Sequence, residues 1–128
     1  MRWSYTCPHC RSILNRDETI MLNATRDGEQ ILIGFHPMPG NYRFSVPPGV
    51  EVAPGSRWEF SCPSCQRSLV SDLSPDLCGI DMVTKNVRHR VYFSPVAGEH
   101  ATFVIAGEGI ERHGEHADRH SLEILEHV

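Results

Sequence analysis

The stretch CPHC at residues 7–10 returns as CPSC at residues 62–65, and the reading of this pair decides the fold. Taken alone, two cysteines separated by proline and histidine serve either as a redox dithiol or as half of a metal site. A two-residue gap lets both sulfurs of a pair face one ion from a tight turn. Two such turns complete the tetrahedral four-sulfur shell that Zn²⁺ favours. Pro8 and Pro63 hold the same place in each turn and fix φ there. The 51 residues between the pairs are no obstacle. Closing so long a loop costs about 3.5 kcal/mol in the logarithmic term, against on the order of 10–16 kcal/mol from a structural zinc ion. The redox reading needs the motif to open a helix in a βαβ unit, whereas RSILNRDETI (11–20) shows no helical pattern. Two matched pairs would also have to be two independent redox centres. Iron remains the alternative ion, since a four-sulfur shell does not itself distinguish the metals. The sequence therefore predicts one structural zinc held by Cys7, Cys10, Cys62 and Cys65, with no coordination position open for catalysis.

Outward from the two pairs, the pattern is β almost throughout. TIMLNAT (19–25) and EQILIGF (29–35) flank Arg26-Asp27-Gly28, whose Asp-Gly is a hairpin signal. RWSYT (2–6) and SRWEFS (56–61) read as strands delivering the two cysteine pairs. Five of the nine prolines fall between Pro37 and Pro54, which excludes a helix and leaves loops with one edge strand at 41–46. IDMVTKN, RHRVYFSPV and ATFVIAG continue the β pattern, the last two joined by a turn at Ala97-Gly98-Glu99-His100. Only ERHGEHADRHSLEILEHV (111–128) has a helical look, and Gly114 interrupts it. The expected fold is mainly β. Antiparallel sheets over residues 1–110 are pinned by the four-cysteine zinc site in a zinc-ribbon or β-tent-like manner, and a polar, His-rich tail over 111–128 is helical if ordered.

A chain of 128 residues is one domain's worth. No apolar run approaches the length of a membrane span, and MRWSYTCPHC has neither the hydrophobic segment nor the cleavage site of a secretory signal. The expected address is cytoplasmic, with reduced cysteines. The formal charge of −4 becomes about −6 with four thiolates around one zinc. That sign disfavours nonspecific nucleic-acid binding.

Tyr5-x-Cys7-x₂-Cys10 followed by Leu14, then a long β-rich insert, then Cys62-x₂-Cys65 followed by Leu69, resembles the yippee family. More broadly it is similar to the β-tent zinc folds that include the cereblon-type thalidomide-binding domain. The resemblance covers residues 5–70 and implies two antiparallel sheets pinned at one end by zinc. Val70-Ser71 stand where the yippee family usually has Gly-Trp. Trp3 and Trp58 are the only tryptophans, where the cereblon-type cage needs several. Only the four metal ligands are carried across.

Three further groups carry candidate chemistry. His113, His116 and His120 stand at i, i+3 and i+7, one face of a helix, with Glu115, Asp118 and His127 nearby. They are candidates for a second metal, against the plainer reading of a solvated tail. Arg88 and Arg90 share one strand face, with His89 opposite, and offer a basic patch or a charged guard on a strand edge. Trp3, Tyr5, Trp58 and Phe60 precede the two cysteine pairs at matching positions, as core packing or as a binding platform. Cys78 reads as a buried apolar residue, with a reactive thiol as its alternative. No phosphate loop or nucleophile-elbow motif is present. The expected function is a non-enzymatic, zinc-containing regulatory module for an unknown protein or small ligand. The rivals are a nucleic-acid-binding zinc ribbon and an enzyme using Cys78 or a metal on the histidine tail.

Overall fold

Alternating apolar and polar residues build ten strands in the computed structural model, which describes residues 3–85, 87–106 and 109–120. They are β1 (Ser4–Thr6), β2 (Asn15–Arg16), β3 (Thr19–Arg26), β4 (Glu29–Phe35), β5 (Phe44–Ser45), β6 (Glu59–Ser61), β7 (Cys78–Thr84), β8 (Val87–Phe93), β9 (Thr102–Ala106) and β10 (Gly109–His113). One sheet has the order β1-β7-β8-β9-β10. The other has the order β2-β3-β4-β5, with β6 also on β3. Every pairing between these strands is antiparallel.

The Asp27-Gly28 signal does what its chemistry requires. Both residues take positive φ, 52° and 81°, so that Arg26 pairs with Glu29 across a two-residue turn. Lys85, at φ 48°, opens the matching turn in which Thr84 pairs with Val87. The proline-rich insert holds its edge strand to two residues, Phe44–Ser45, as the missing N–H donors allow little more.

The two halves of the chain repeat one plan: a short strand, a cysteine turn, then a long hairpin. They also exchange their first strands. β1, from the first half, pairs with β7 of the second hairpin, with Tyr5 opposite Met82. β6, from the second half, pairs with β3 of the first hairpin, with Phe60 opposite Ala24. This exchange ties both cysteine turns to both sheets.

Alternation divides the interior into two parts. Leu22, Ile33, Ile80, Val91 and Val104 point between the sheets with Cys7, Cys62, Leu14 and Leu69. Tyr92 and Phe103 point to the opposite face of the β1-β7-β8-β9-β10 sheet, beside Leu77, Ala101 and Ala117. That second face explains the fate of the C-terminal segment. Residues 111–113, expected in the polar tail, complete β10 instead, so this strand crosses the division placed after residue 110. Gly114 then turns the chain at φ 97°, and a short 3₁₀ turn, Ala117–His120, lays Ala117 on the apolar face. No other residue fits at Gly114: a Cβ there would lie 2.1 Å from the His100 carbonyl oxygen. Residues 121–128, including His127, lie outside the described residues.

Candidate functional site

The two cysteine turns are built alike. Arg11 N–H donates to the Cys7 carbonyl (3.0 Å) and Gln66 N–H to the Cys62 carbonyl (2.8 Å). Arg11 and Gln66 take the same left-handed conformation, φ 67° and 62°. His9 N–H points at Cys7 Sγ and Ser64 N–H at Cys62 Sγ, both at 3.3 Å, the backbone support that thiolate ligands use. Leu14 and Leu69 are buried behind them.

The turns bring all four sulfurs within 4.8 Å of one another. Cys7 Sγ lies 3.8 Å from Cys65 Sγ, and Cys10 Sγ lies 3.8 Å from Cys62 Sγ. A tetrahedron with metal–sulfur bonds of about 2.3 Å has edges of about 3.8 Å, so the donor set fits a tetrahedral thiolate-bound ion. Without an ion, burial pushes the Cys7 thiol up to about 12, while Ser12 holds Cys10 down to about 6. A shared cation resolves that disparity by favouring the thiolate at every position.

Between the sheets lies a cavity of about 190 Å³. Leu22 and Ile33 line it from one hairpin and Ile80 and Val91 from the other. Phe35, Phe60 and Phe93 form one aromatic cluster on its wall, with centroids 5.7–6.3 Å apart and planes inclined by 51–68°. Tyr5, Trp58 and Phe60, from the sequence-derived platform, all line this cavity, so they face inward instead of forming an open surface. Trp3 is partly buried against the same core. Burial pushes the Tyr5 phenol well above its ordinary value, and its hydroxyl donates to the Pro37 carbonyl at 2.5 Å. The loops at 36–42 and 94–101 also contribute lining residues, as does Thr102 at the start of β9. Phe35, Phe93 and the 94–101 loop were missed by motif reading. Their signal is the recurrence of Phe-x-Pro, Phe35-His36-Pro37 and Phe93-Ser94-Pro95, after each hairpin.

The remaining candidates are dispersed. His113 ends β10, His116 lies in the following turn, and His120 ends the 3₁₀ turn. They do not share a helical face, because Gly114 and the docking of Ala117 preclude a continuous helix. His120 Nε2 instead meets Glu99 Oε1 at 2.5 Å. His116 joins His100 and Glu115, with His100 Nδ1 3.3 Å and His116 Nε2 3.9 Å from Glu115 Oε1. His116 Nδ1, however, accepts the His100 backbone N–H at 2.9 Å. The neutral ring therefore carries its proton on Nε2. A metal-bound imidazole has the opposite arrangement, with one bare nitrogen on the ion and the other donating. This cluster is a hydrogen-bonded clasp between loop and turn.

Arg88 and Arg90 do share a strand face, but both turn towards a buried acid. Arg90 Nε donates to Asp81 Oδ1 at 2.6 Å, and Arg88 Nη1 lies 3.9 Å from Asp81 Oδ2. Burial works against the Arg90 charge, but the hydrogen bond and charge of Asp81 outweigh it and hold the guanidinium protonated. Cys78 is 4% exposed, and burial pushes its thiol up to about 12, which keeps it in the unreactive protonated form.

Fold and cysteine cluster define a two-sheet antiparallel β protein with a four-sulfur site able to hold one metal ion. No protein-family model, curated protein or solved structure matches the chain. Among the described residues, no helix is long and apolar enough to cross a membrane.

Proposed function

We propose that this protein is a binding module in which one structural zinc ion joins the two halves and a small ligand occupies the cavity between the sheets. The observation that carries this reading is the cavity itself, about 190 Å³ of apolar, aromatic-walled space. The cavity is partly open, so water meets its apolar wall, and an apolar occupant gains free energy by displacing that water.

Zinc supports the ligand site from outside it. The 3.8 Å sulfur separations suit its bond length. A four-sulfur shell has no open position, so the ion's task is to hold the exchanged strands β1 and β6 in place. Those strands supply Tyr5 and Phe60 to the cavity wall. The test has two arms. Native mass spectrometry should find one zinc per chain. A screen of small ligands should raise the melting temperature and change the fluorescence of Trp58. Metal-free protein that still unfolds cooperatively would overturn the zinc arm, and a screen without a response would overturn the cavity arm.

A further inference from the structure

We infer that the ligand taken by this cavity is a neutral, apolar molecule the size of one ring or two fused rings, an inference that rests on the cavity being a ligand site. The argument comes from five polar side chains on its wall, Tyr5, Tyr42, Trp58, Ser94 and Glu99, whose bonds are made within the protein. Tyr5 Oη donates to Pro37 O, and Trp58 Nε1 donates to Ser56 Oγ at 3.0 Å. Ser94 Oγ donates to Glu99 Oε1 at 2.7 Å. The same Glu99 carboxylate meets His120 Nε2 at 2.5 Å and Arg119 Nη1 at 3.2 Å. Tyr42 Oη bonds to Thr102 Oγ1 and to the His113 carbonyl, each at 3.0 Å.

A carboxylate entering here would gain no donor from these five side chains, and the donors left on His36, Asn41 and His100 belong to exposed or half-buried groups that water already serves. An ammonium would meet Glu99 already engaged by an arginine and a histidine. Either ion keeps its desolvation cost uncompensated. A neutral hydrocarbon surface loses nothing on entry and gains contact with Phe35, Phe60 and Phe93. Volume sets the scale, since a dry apolar cavity of about 150 Å³ admits benzene. At about 190 Å³, this one admits a somewhat larger ring system.

Isothermal titration of the metal-loaded protein with three probes of one shape decides the matter: indole, indole-3-carboxylate and 3-(aminomethyl)indole. Indole should bind, and both charged probes should bind at least about tenfold more weakly. Val52 lines the cavity from the proline-rich insert. Val52→Phe should abolish the indole signal while zinc content and far-ultraviolet circular dichroism stay unchanged. Equal or tighter binding of either charged probe would overturn the ligand class and leave the cavity reading intact. Indole binding that survives Val52→Phe places the ligand elsewhere, and silence from all three probes removes both readings.

Discussion

Tyr42 stacks on His100 with ring centroids 4.3 Å apart and planes 8° from parallel. The two residues hold matching places in the repeated plan, each five residues beyond the proline of a Phe-x-Pro segment. The stack thus joins the two loops that contribute to the cavity wall, one from each half. Burial raises the Tyr42 phenol, while its bond to Thr102 partly opposes that shift. Tyr42→Phe keeps the stack and loses the hydroxyl bonds, and should cost about 1 kcal/mol. Tyr42→Ala loses the ring as well and should cost roughly 1 kcal/mol more. Urea denaturation of the two variants separates these contributions, and equal losses would show that the stack adds nothing.

The cysteine site predicts an abrupt dependence on metal. Cys7 and Cys62 are fully buried and their turns anchor strands of both sheets. Cys62→Ser should lose the ion and with it cooperative unfolding, because a structural site of this type contributes on the order of 10–16 kcal/mol. Protons compete for thiolates, so acidification should release the ion and raising the pH should restore it. Metal content measured beside circular dichroism across a pH series checks both statements. Native circular dichroism persisting after the ion has gone would refute them.

Legibility in the sequence followed the range of the physics involved. Asp27-Gly28 and the two CPxC turns are local devices, and the structure places them where spacing and turn chemistry require. The exchange of β1 and β6 is not local. Tyr5 opposite Met82 and Phe60 opposite Ala24 are pairings between distant segments, and no short window of sequence contains them. His113, His116 and His120 have the spacing of a helix, yet their surroundings decide otherwise. Arg112 and His113 extend the sheet, Gly114 must turn under the His100 carbonyl, and Ala117 is drawn to an apolar face that periodicity did not reveal. The cavity was legible only in part. Trp58, Tyr5 and Phe60 stood out beside the cysteines, whereas Phe35 and Phe93 needed the recognition that Phe-x-Pro follows each hairpin.

Asp81 is a buried acid on β7, its side chain 5% exposed, and Arg90 grips it more closely than Arg88 does. Asp81→Ala leaves the Arg90 Nε–H without its acceptor and should destabilise the protein by about 2–3 kcal/mol. Arg88→Ala removes only a 3.9 Å, partly exposed contact and should cost under about 1 kcal/mol. Denaturant midpoints at one pH rank the two. A larger loss from Arg88→Ala would invert this account of the pair.

Glu99 supplies the acid dependence that does not involve metal. Burial disfavours its charge, but hydrogen bonds from His120, Ser94 and Arg119 prevail and hold the carboxyl below its ordinary range. A group whose folded value is depressed stabilises the protein fully above its unfolded value, about 4.3 for glutamate. That contribution fades as pH falls through the lower, folded value. Glu99→Gln should therefore be less stable than the native chain by about 1–2 kcal/mol at pH 6, and the gap should close as the pH drops below about 4. Arg119 is largely exposed and adds little to that difference, so Arg119→Ala should leave most of it in place. The comparison is best made on thermal unfolding with metal content verified at each pH. A gap that stays constant down to pH values well below the carboxylate range would mean that Glu99 titrates as it does in the unfolded chain, and that its charge adds nothing to its bonds with Ser94 and His120.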